Sequence, residues 1–322
     1  MSVIGMGCWG IGGASPEWGW GELDDGRSAD TIHAALDAGI NWFDTAPTYG
    51  LGHSEEVVGG VLQPVRSDVI IATKFGRVWD EAGHLGRCGR YEWIIGECEA
   101  SLRRLGTDYI DLYQMHWPDA AVPVEESMRA AADLVAAGKV RYVGVCNFTP
   151  SLLQRAASVC TLASHQLPYS LLQRDVEVDV LPYGREHHLP ALAYSPLESG
   201  LLSGRLTAEQ SFTPGDWRAD DERFQGTLLQ HYVDVNDQLS IVASEEGVTV
   251  PQLAIAWVLR AAPVAAAIVG ARTPDHLAAL ADASDVALSP EALARVEAIV
   301  AQPVGGKGVG AATNTADHEG AT

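Results

Sequence analysis

Four side chains in the N-terminal part of the sequence have the types and spacing to move a proton to or from a carbonyl oxygen. NWFDTAPTYG ends an apolar run on Asp44 and places Tyr49 five residues later, in a turn marked by Pro and Gly. VIIATK ends on Lys74, and IDLYQMH ends on His116. An ionisable group at the end of an apolar run is costly unless something compensates it. A free tyrosine titrates near ~10, too high to exchange protons readily at neutral pH. A neighbouring ammonium favours the phenolate, and a carboxylate beside that ammonium holds it in place. Asp44, Lys74 and Tyr49 supply this arrangement, with Tyr49 as general acid and His116 orienting or polarising the same carbonyl. Taken singly, Asp44 would pass for a turn residue and His116 for a hydrogen-bonded core histidine. Their convergence favours the chemistry, which still lacks a hydride donor.

The elements that must position them alternate along the chain. Short apolar runs at Val3–Gly7, Ile40–Asp44, Val69–Lys74, Ile110–His116, Val140–Asn147, Leu162–Gln166, Ala191–Ser195 and Ala266–Gly270 predict strands. Amphipathic stretches such as Ser28–Ala38, Ser54–Leu62, Tyr91–Leu105, Val124–Ala137 and Pro150–Val159 predict helices. Gly39 and Gly138 mark helix ends, and Ser54 with Glu55 and Glu56 marks a helix start. Eight strand-then-helix units predict an α/β fold, a (β/α)8 TIM barrel, whose chemistry sits at the C-terminal ends of its strands. The stretch from Gly200 to Gly226 is too long for a plain connection and predicts a functional loop. Residues 1–302 are expected to form one domain, and residues 303–322, rich in Gly, Ala and Thr, a flexible tail.

Composition narrows the partners. The chain has 322 residues and a formal charge of −21, from 42 acidic against 21 basic side chains. Such a surface repels nucleic acid and anionic lipid, so a phosphate-bearing ligand needs a local basic cluster. Nothing approaches the ~18 apolar residues of a membrane span, and MSVIGMGCWG does not read as a signal peptide. Cys8, Cys88, Cys98, Cys146 and Cys160 are odd in number without a CxxC pair, as expected of reduced thiols in a cytoplasmic protein. His187-His188 lack metal-ligand spacing, and no metal is expected. Gly5-Met6-Gly7-Cys8-Trp9-Gly10 matches GxGxxG, but a dinucleotide-binding turn needs a longer strand before it and a helix opening inside it. The residues after Gly10 are Gly-rich, with Pro16, Trp18 and Trp20, and fit no helix.

Longer motifs carry a family resemblance across nearly the whole chain. NWFDTAPTYGLGHSEEVVG, IATKFG, SLRRLGTDYIDLYQMHWPD, AGKVRYVGVCNF, HQLPYSLLQRDVE, YSPLESGLLSGRL and AIVGARTPDHL resemble the aldo-keto reductases. LYQMHWPD, the long loop after the seventh strand and GARTPDHLAAL most resemble the bacterial general-stress-protein type. The resemblance implies a tetrad of Asp44, Tyr49, Lys74 and His116, and NADP(H) lying extended across the barrel mouth. It places Cys8 and Trp9 close to the cofactor, Asn147 and Gln166 on the nicotinamide carboxamide, and Tyr194 on the nicotinamide ring. The Ser195-Pro196-Leu197 turn and the loop through Gly200, Leu201 and Gly204 would cover the pyrophosphate. Arg205, Arg218 and Arg272, beside Gly270 and Ala271, become the required basic cluster, with Arg272 first for the 2′-phosphate.

Departures from the family pattern are Cys146 in place of Ser, and His276 and Leu280 where Gln and Asn would approach the adenine. The hairpin expected before the first strand, across the barrel bottom, is missing; either the chain starts further upstream or the bottom is covered otherwise. Gly76–Arg90 is the expected specificity loop, with Trp79 and Trp117 as candidate walls of a pocket for a small carbonyl substrate. The expected activity is NADPH-dependent reduction of an aldehyde or ketone, or the reverse oxidation. A cofactor-binding regulatory subunit of the same fold is the second reading.

Overall fold

The computed structural model of the chain describes residues 1–15 and 19–302. Its strands are β1 (Ile4–Gly7), β2 (Trp42–Asp44), β3 (Ile70–Phe75), β4 (Arg77–Trp79), β5 (Leu85–Arg87), β6 (Ile110–Met115), β7 (Val140–Cys146), β8 (Leu162–Pro168), β9 (Ala191–Tyr194) and β10 (Val264–Gly270). All but β4 and β5 pair in parallel and close into a barrel in the order β1-β2-β3-β6-β7-β8-β9-β10. The (β/α)8 architecture expected from the alternating pattern is therefore the one observed. The GxGxxG stretch is followed by a single 3-10 turn, Trp9–Gly12, and opens no dinucleotide-binding helix. Pro16, Trp18 and the expected tail, residues 303–322, lie outside the described residues.

Ten α-helices accompany the strands among the described residues: α1 (Asp25–Asp37), α2 (His53–Leu62), α3 (Tyr91–Leu105), α4 (Val124–Ala136), α5 (Pro150–Ala157), α6 (Val180–Glu186), α7 (Gly226–Glu245), α8 (Val250–Leu259), α9 (Pro274–Ala281) and α10 (Pro290–Val300). Asp24, Thr149, Thr249, Thr273 and Ser289 cap α1, α5, α8, α9 and α10 by accepting a backbone N–H from the first turn. Gly39 and Gly138 follow α1 and α4 with φ of 79° and 76°, where a side chain would be strained. Glu55 is a first-turn acid of α2, as expected, and is fully buried. It accepts from Thr73 Oγ1 on β3 and from Arg104 Nε on α3, both at 2.6 Å.

The barrel interior explains how its bottom is closed. Trp42, at the start of β2, is fully buried among Ala72, Leu112, Leu192, Ala266 and Ile268. Its Nε1 donates to Ser2 O at 3.0 Å. Gly5 on neighbouring β1 makes room, since a Cβ there would come within 2.0 Å of the Trp42 ring. The indole thus fills the bottom of the barrel interior.

Two segments over the mouth depart from simple connections. Gly76–Arg90, expected as a loop, contains an antiparallel hairpin pairing Arg77 with Arg87 and Trp79 with Leu85. Asp80 shapes its turn by accepting from the N–H groups of Ala82 and His84, and Gly83 takes φ 85°. The long loop after β9 crosses the mouth to the N-terminal segment. There Asp216 bridges to Trp20, and Trp217 N donates to Gly19 O at 3.0 Å. Trp9 stacks on Trp217 at 5.8 Å and meets Trp20 edge-on at 4.9 Å, so three indoles close the contact.

Candidate active site

Asp44, Lys74, Gln114 and Gln166 project from β2, β3, β6 and β8 and form a polar layer above the Trp42 floor. Each is nearly inaccessible to solvent, between 0% and 3% exposed. Lys74 is the hub: its Nζ donates to Asp44 Oδ1 at 2.5 Å, Thr45 O at 3.0 Å and Tyr49 OH at 3.1 Å. An ammonium so surrounded is compensated inside a low-dielectric interior. Burial works against its charge, but Asp44 and then Tyr49 outweigh burial and hold Lys74 above its ordinary pKa.

Tyr49 departs from the expectation that Lys74 lowers its pKa. Burial pushes the phenol up to about 12, and Lys74 offsets only part of that rise. Removing water from the phenolate costs more than the ammonium returns. Tyr49 is therefore a phenol, a proton donor, throughout the neutral range. His116 meets its ring edge-on with centroids 5.9 Å apart. Burial and the charges of Lys74, Arg77 and Arg87 hold His116 well below the usual histidine pKa, so it is a neutral imidazole. Its backbone N–H donates to Phe75 O at 2.9 Å, and its Nδ1 is buried without a hydrogen-bond partner.

Gln114, which sequence reasoning passed over, completes the layer. Its Nε2 donates to Asp44 Oδ2 at 3.1 Å, beside Gln166 Nε2 at 2.8 Å on the same oxygen. Gln114 pairs with Lys74 on β3 and with Gly144 on β7. A Cβ at Gly144 would approach Gln114 Cγ to 3.1 Å, so this glycine leaves the space the amide occupies. The available signal was periodicity: Leu112, Gln114 and His116 share one face of a strand.

From this layer a cleft of about 500 Å³ runs across the mouth. Near the tetrad, Cys8, Trp9, Asn147, Gln166 and Tyr194 line it. Asn147 takes the left-handed conformation, φ 60°, which turns its amide inward. Its Nδ2 donates to His116 O at 3.0 Å, and its Oδ1 accepts from Tyr194 OH at 2.9 Å. Ser195, Pro196, Leu197 and Gly200 also line the cleft. Ser195, Glu198 and Ser199 have φ of 53°, 46° and 53°, a strained run for residues other than glycine. Buried Glu198 holds this turn by accepting from Ser170 Oγ at 2.7 Å and Arg223 Nη1 at 3.3 Å.

Gly270, Ala271, Arg272, His276, Leu280 and Arg205 line the cleft as well. Arg205 and His276 are exposed, and Arg272 donates to Trp20 O at 3.2 Å. Arg218 also lines the cleft, but Asp216 and Ser199 O engage its guanidinium, so its first task is to fold the loop. Leu201 and Gly204 stand behind the wall, where Asn236 bonds to the carbonyl of one and the N–H of the other. Cys146 is likewise buried outside the lining. On the substrate side Trp117 lines the cleft with Arg77 and Leu85 from the hairpin; Trp79 does not. An amide pair, a backbone turn and a cationic cluster lining one groove fit an extended dinucleotide carrying a 2′-phosphate.

Comparison with known proteins agrees with this fold. Residues 4–301 match the model of the aldo/keto reductase family. The aldo-keto reductase YhdN of Bacillus subtilis is 40% identical over 311 residues, covering 94% of this chain and 92% of that protein. The NADH-specific methylglyoxal reductase of Escherichia coli is 36% identical over 290 residues, 86% of this chain and 88% of the relative. Among solved structures, a glycerol dehydrogenase from Gluconobacter oxydans superposes with a TM-score of 0.85 at 39% identity, covering 96% and 95% of the two chains. An aldo-keto reductase from Klebsiella pneumoniae in complex with NADPH gives a TM-score of 0.72 at 31% identity, covering 94% and 92%.

Proposed function

The chain belongs to the aldo/keto reductase family and is an NADP-dependent carbonyl oxidoreductase, and from that premise we propose how its residues divide the work. The observation that carries the assignment is Lys74, bonded at once to Asp44 and Tyr49 with His116 beside the phenol. When bound, NADPH supplies the hydride. Tyr49 donates its phenolic proton to the carbonyl oxygen as that oxygen gains charge. Lys74 stabilises the phenolate left behind, and Asp44 keeps the ammonium in place. Neutral His116 offers a hydrogen bond to the same oxygen without competing for the proton. In the reverse direction Tyr49 accepts the alcohol proton.

Asn147 and Gln166 would hold the carboxamide, Tyr194 would lie against the nicotinamide, and the Ser195–Gly200 turn would hold the pyrophosphate. Arg272, with Arg205 and His276, receives the 2′-phosphate, which makes NADPH the preferred cofactor even though one relative is named as NADH-specific. Trp117, Arg77 and Leu85 wall a site for a small carbonyl compound. Short oxygenated aldehydes and ketones head the substrate panel, in keeping with relatives named for methylglyoxal and glycerol. No described helix is long and apolar enough to cross a membrane. All five cysteines are unpaired thiols, which supports the cytoplasmic location.

Tyr49→Phe tests the assignment. NADPH should bind as before, while carbonyl reduction falls by about 10²–10⁴-fold, the usual contribution of a positioned proton donor. Full activity in that variant would remove Tyr49 from the role. Arg272→Ala should erase most of the preference for NADPH over NADH; an unchanged ratio would move the phosphate site.

A further inference from the structure

We infer that Gln114 is a positioning residue for the cofactor: it fixes which way the Gln166 amide faces, and so makes Gln166 an acceptor for the carboxamide NH2. This rests on the carboxamide site proposed above. The direction of each amide follows from chemistry. An ionised carboxylate only accepts hydrogen bonds. Asp44 Oδ1 takes the Lys74 ammonium, and Oδ2 takes one N–H from Gln114 at 3.1 Å and one from Gln166 at 2.8 Å. Both glutamines must therefore turn nitrogen toward Asp44. The second N–H of Gln166 points to Gln114 Oε1 at 3.4 Å. With both donors spent, Oε1 is the one polar atom Gln166 has left for a ligand in the cleft it lines.

Asn147 has the opposite polarity. Its Oδ1 accepts from Tyr194 and one N–H goes to the His116 carbonyl, leaving one N–H to give. An acceptor and a donor side by side match a primary carboxamide, whose NH2 meets Gln166 and whose C=O meets Asn147. Without Gln114, Gln166 keeps one anchor in place of two and has a buried N–H to satisfy. Turning that N–H toward the cleft sets donor against donor.

The test compares NADPH with its reduced 3-acetylpyridine analogue, in which a methyl group replaces the NH2 and the C=O is kept. Binding is read from quenching of tryptophan fluorescence in wild type, Gln114→Leu and Gln114→Met, the last preserving side-chain length. Wild type should prefer NADPH by about tenfold, the loss typical of one directed hydrogen bond. Both variants should weaken NADPH by about tenfold and leave the analogue within about twofold, so that discrimination disappears. Variants that weaken both ligands equally, or neither, overturn the role of Gln114. A wild type that binds both ligands alike overturns the carboxamide site itself.

Discussion

Tyr49 and His116 carry opposite perturbations, one pushed up to about 12 and the other far down, so neither changes charge near neutral pH. Reduction needs the phenol. With saturating cofactor its rate should stay flat over roughly pH 6–9 and fall only as pH rises toward the phenol's own titration. Oxidation needs the phenolate and should rise over the same range. A reduction profile with a limb near the ordinary histidine pKa of ~6.5 would show that His116 titrates and is not held neutral. Lys74→Met leaves a buried carboxylate without its ammonium and should cost about 3–5 kcal/mol of stability. Lys74→Met combined with Asp44→Asn should recover most of that stability in urea melts while activity stays lost. If the double variant is as unstable as the single one, the pair is not what stabilises the layer. The charged members of this layer were legible in the sequence because a charge ending an apolar run demands a partner. Gln114 was not, because an uncharged amide inside a strand is ordinary unless the group it faces is known.

At the scale of elements, β3 and α3 are joined through a buried carboxyl the sequence does not announce. Glu97 Oε2 accepts from Gly76 N at 2.8 Å, where the chain leaves β3 for the hairpin. Burial raises its pKa from 4.5 to about 8, so the folded protein retains a proton that the unfolded chain has lost. The folded value being the higher, the contribution is whole below about 4.5 and is lost as pH rises toward 8, each unit amounting to about 1.4 kcal/mol. Glu97→Gln keeps an acceptor for Gly76 and removes the titration. Urea melts at increasing pH across that window should show the variant gaining on wild type; parallel profiles would refute the shift. The hairpin itself escaped sequence reading because three-residue strands bounded by a polar turn look like loop. Arg77 and Leu85, which it brings to the cleft, escaped with it.

At the scale of the molecule, barrel closure depends on one large side chain meeting one absent side chain. Gly5→Ala puts a methyl into the Trp42 indole and should destabilise the protein by about 1–3 kcal/mol, as overpacking does. Trp42→Leu alone should also be costly, about 2–5 kcal/mol, through the cavity it leaves. The two together should cost less than their sum, since each relieves the other, with a coupling of about 0.5–3 kcal/mol. Simple additivity in thermal or urea unfolding would mean that the contact does not limit closure. The eight-strand topology was readable from periodicity, whereas the device that closes the bottom was not, because it depends on β1 and β2 being side by side.

That floor also governs traffic. Beneath Asp44, Lys74, Gln114 and Gln166 lie the Trp42 cluster and the buried, unpartnered hydroxyl of Ser164, so none of the layer's side-chain hydrogen bonds continues toward the bottom of the barrel among the described residues. The layer behaves as a blind well with Tyr49 as its lip. A proton given to substrate is replenished from the mouth, along the route by which substrate and product pass, so reprotonation and product exchange share one doorway.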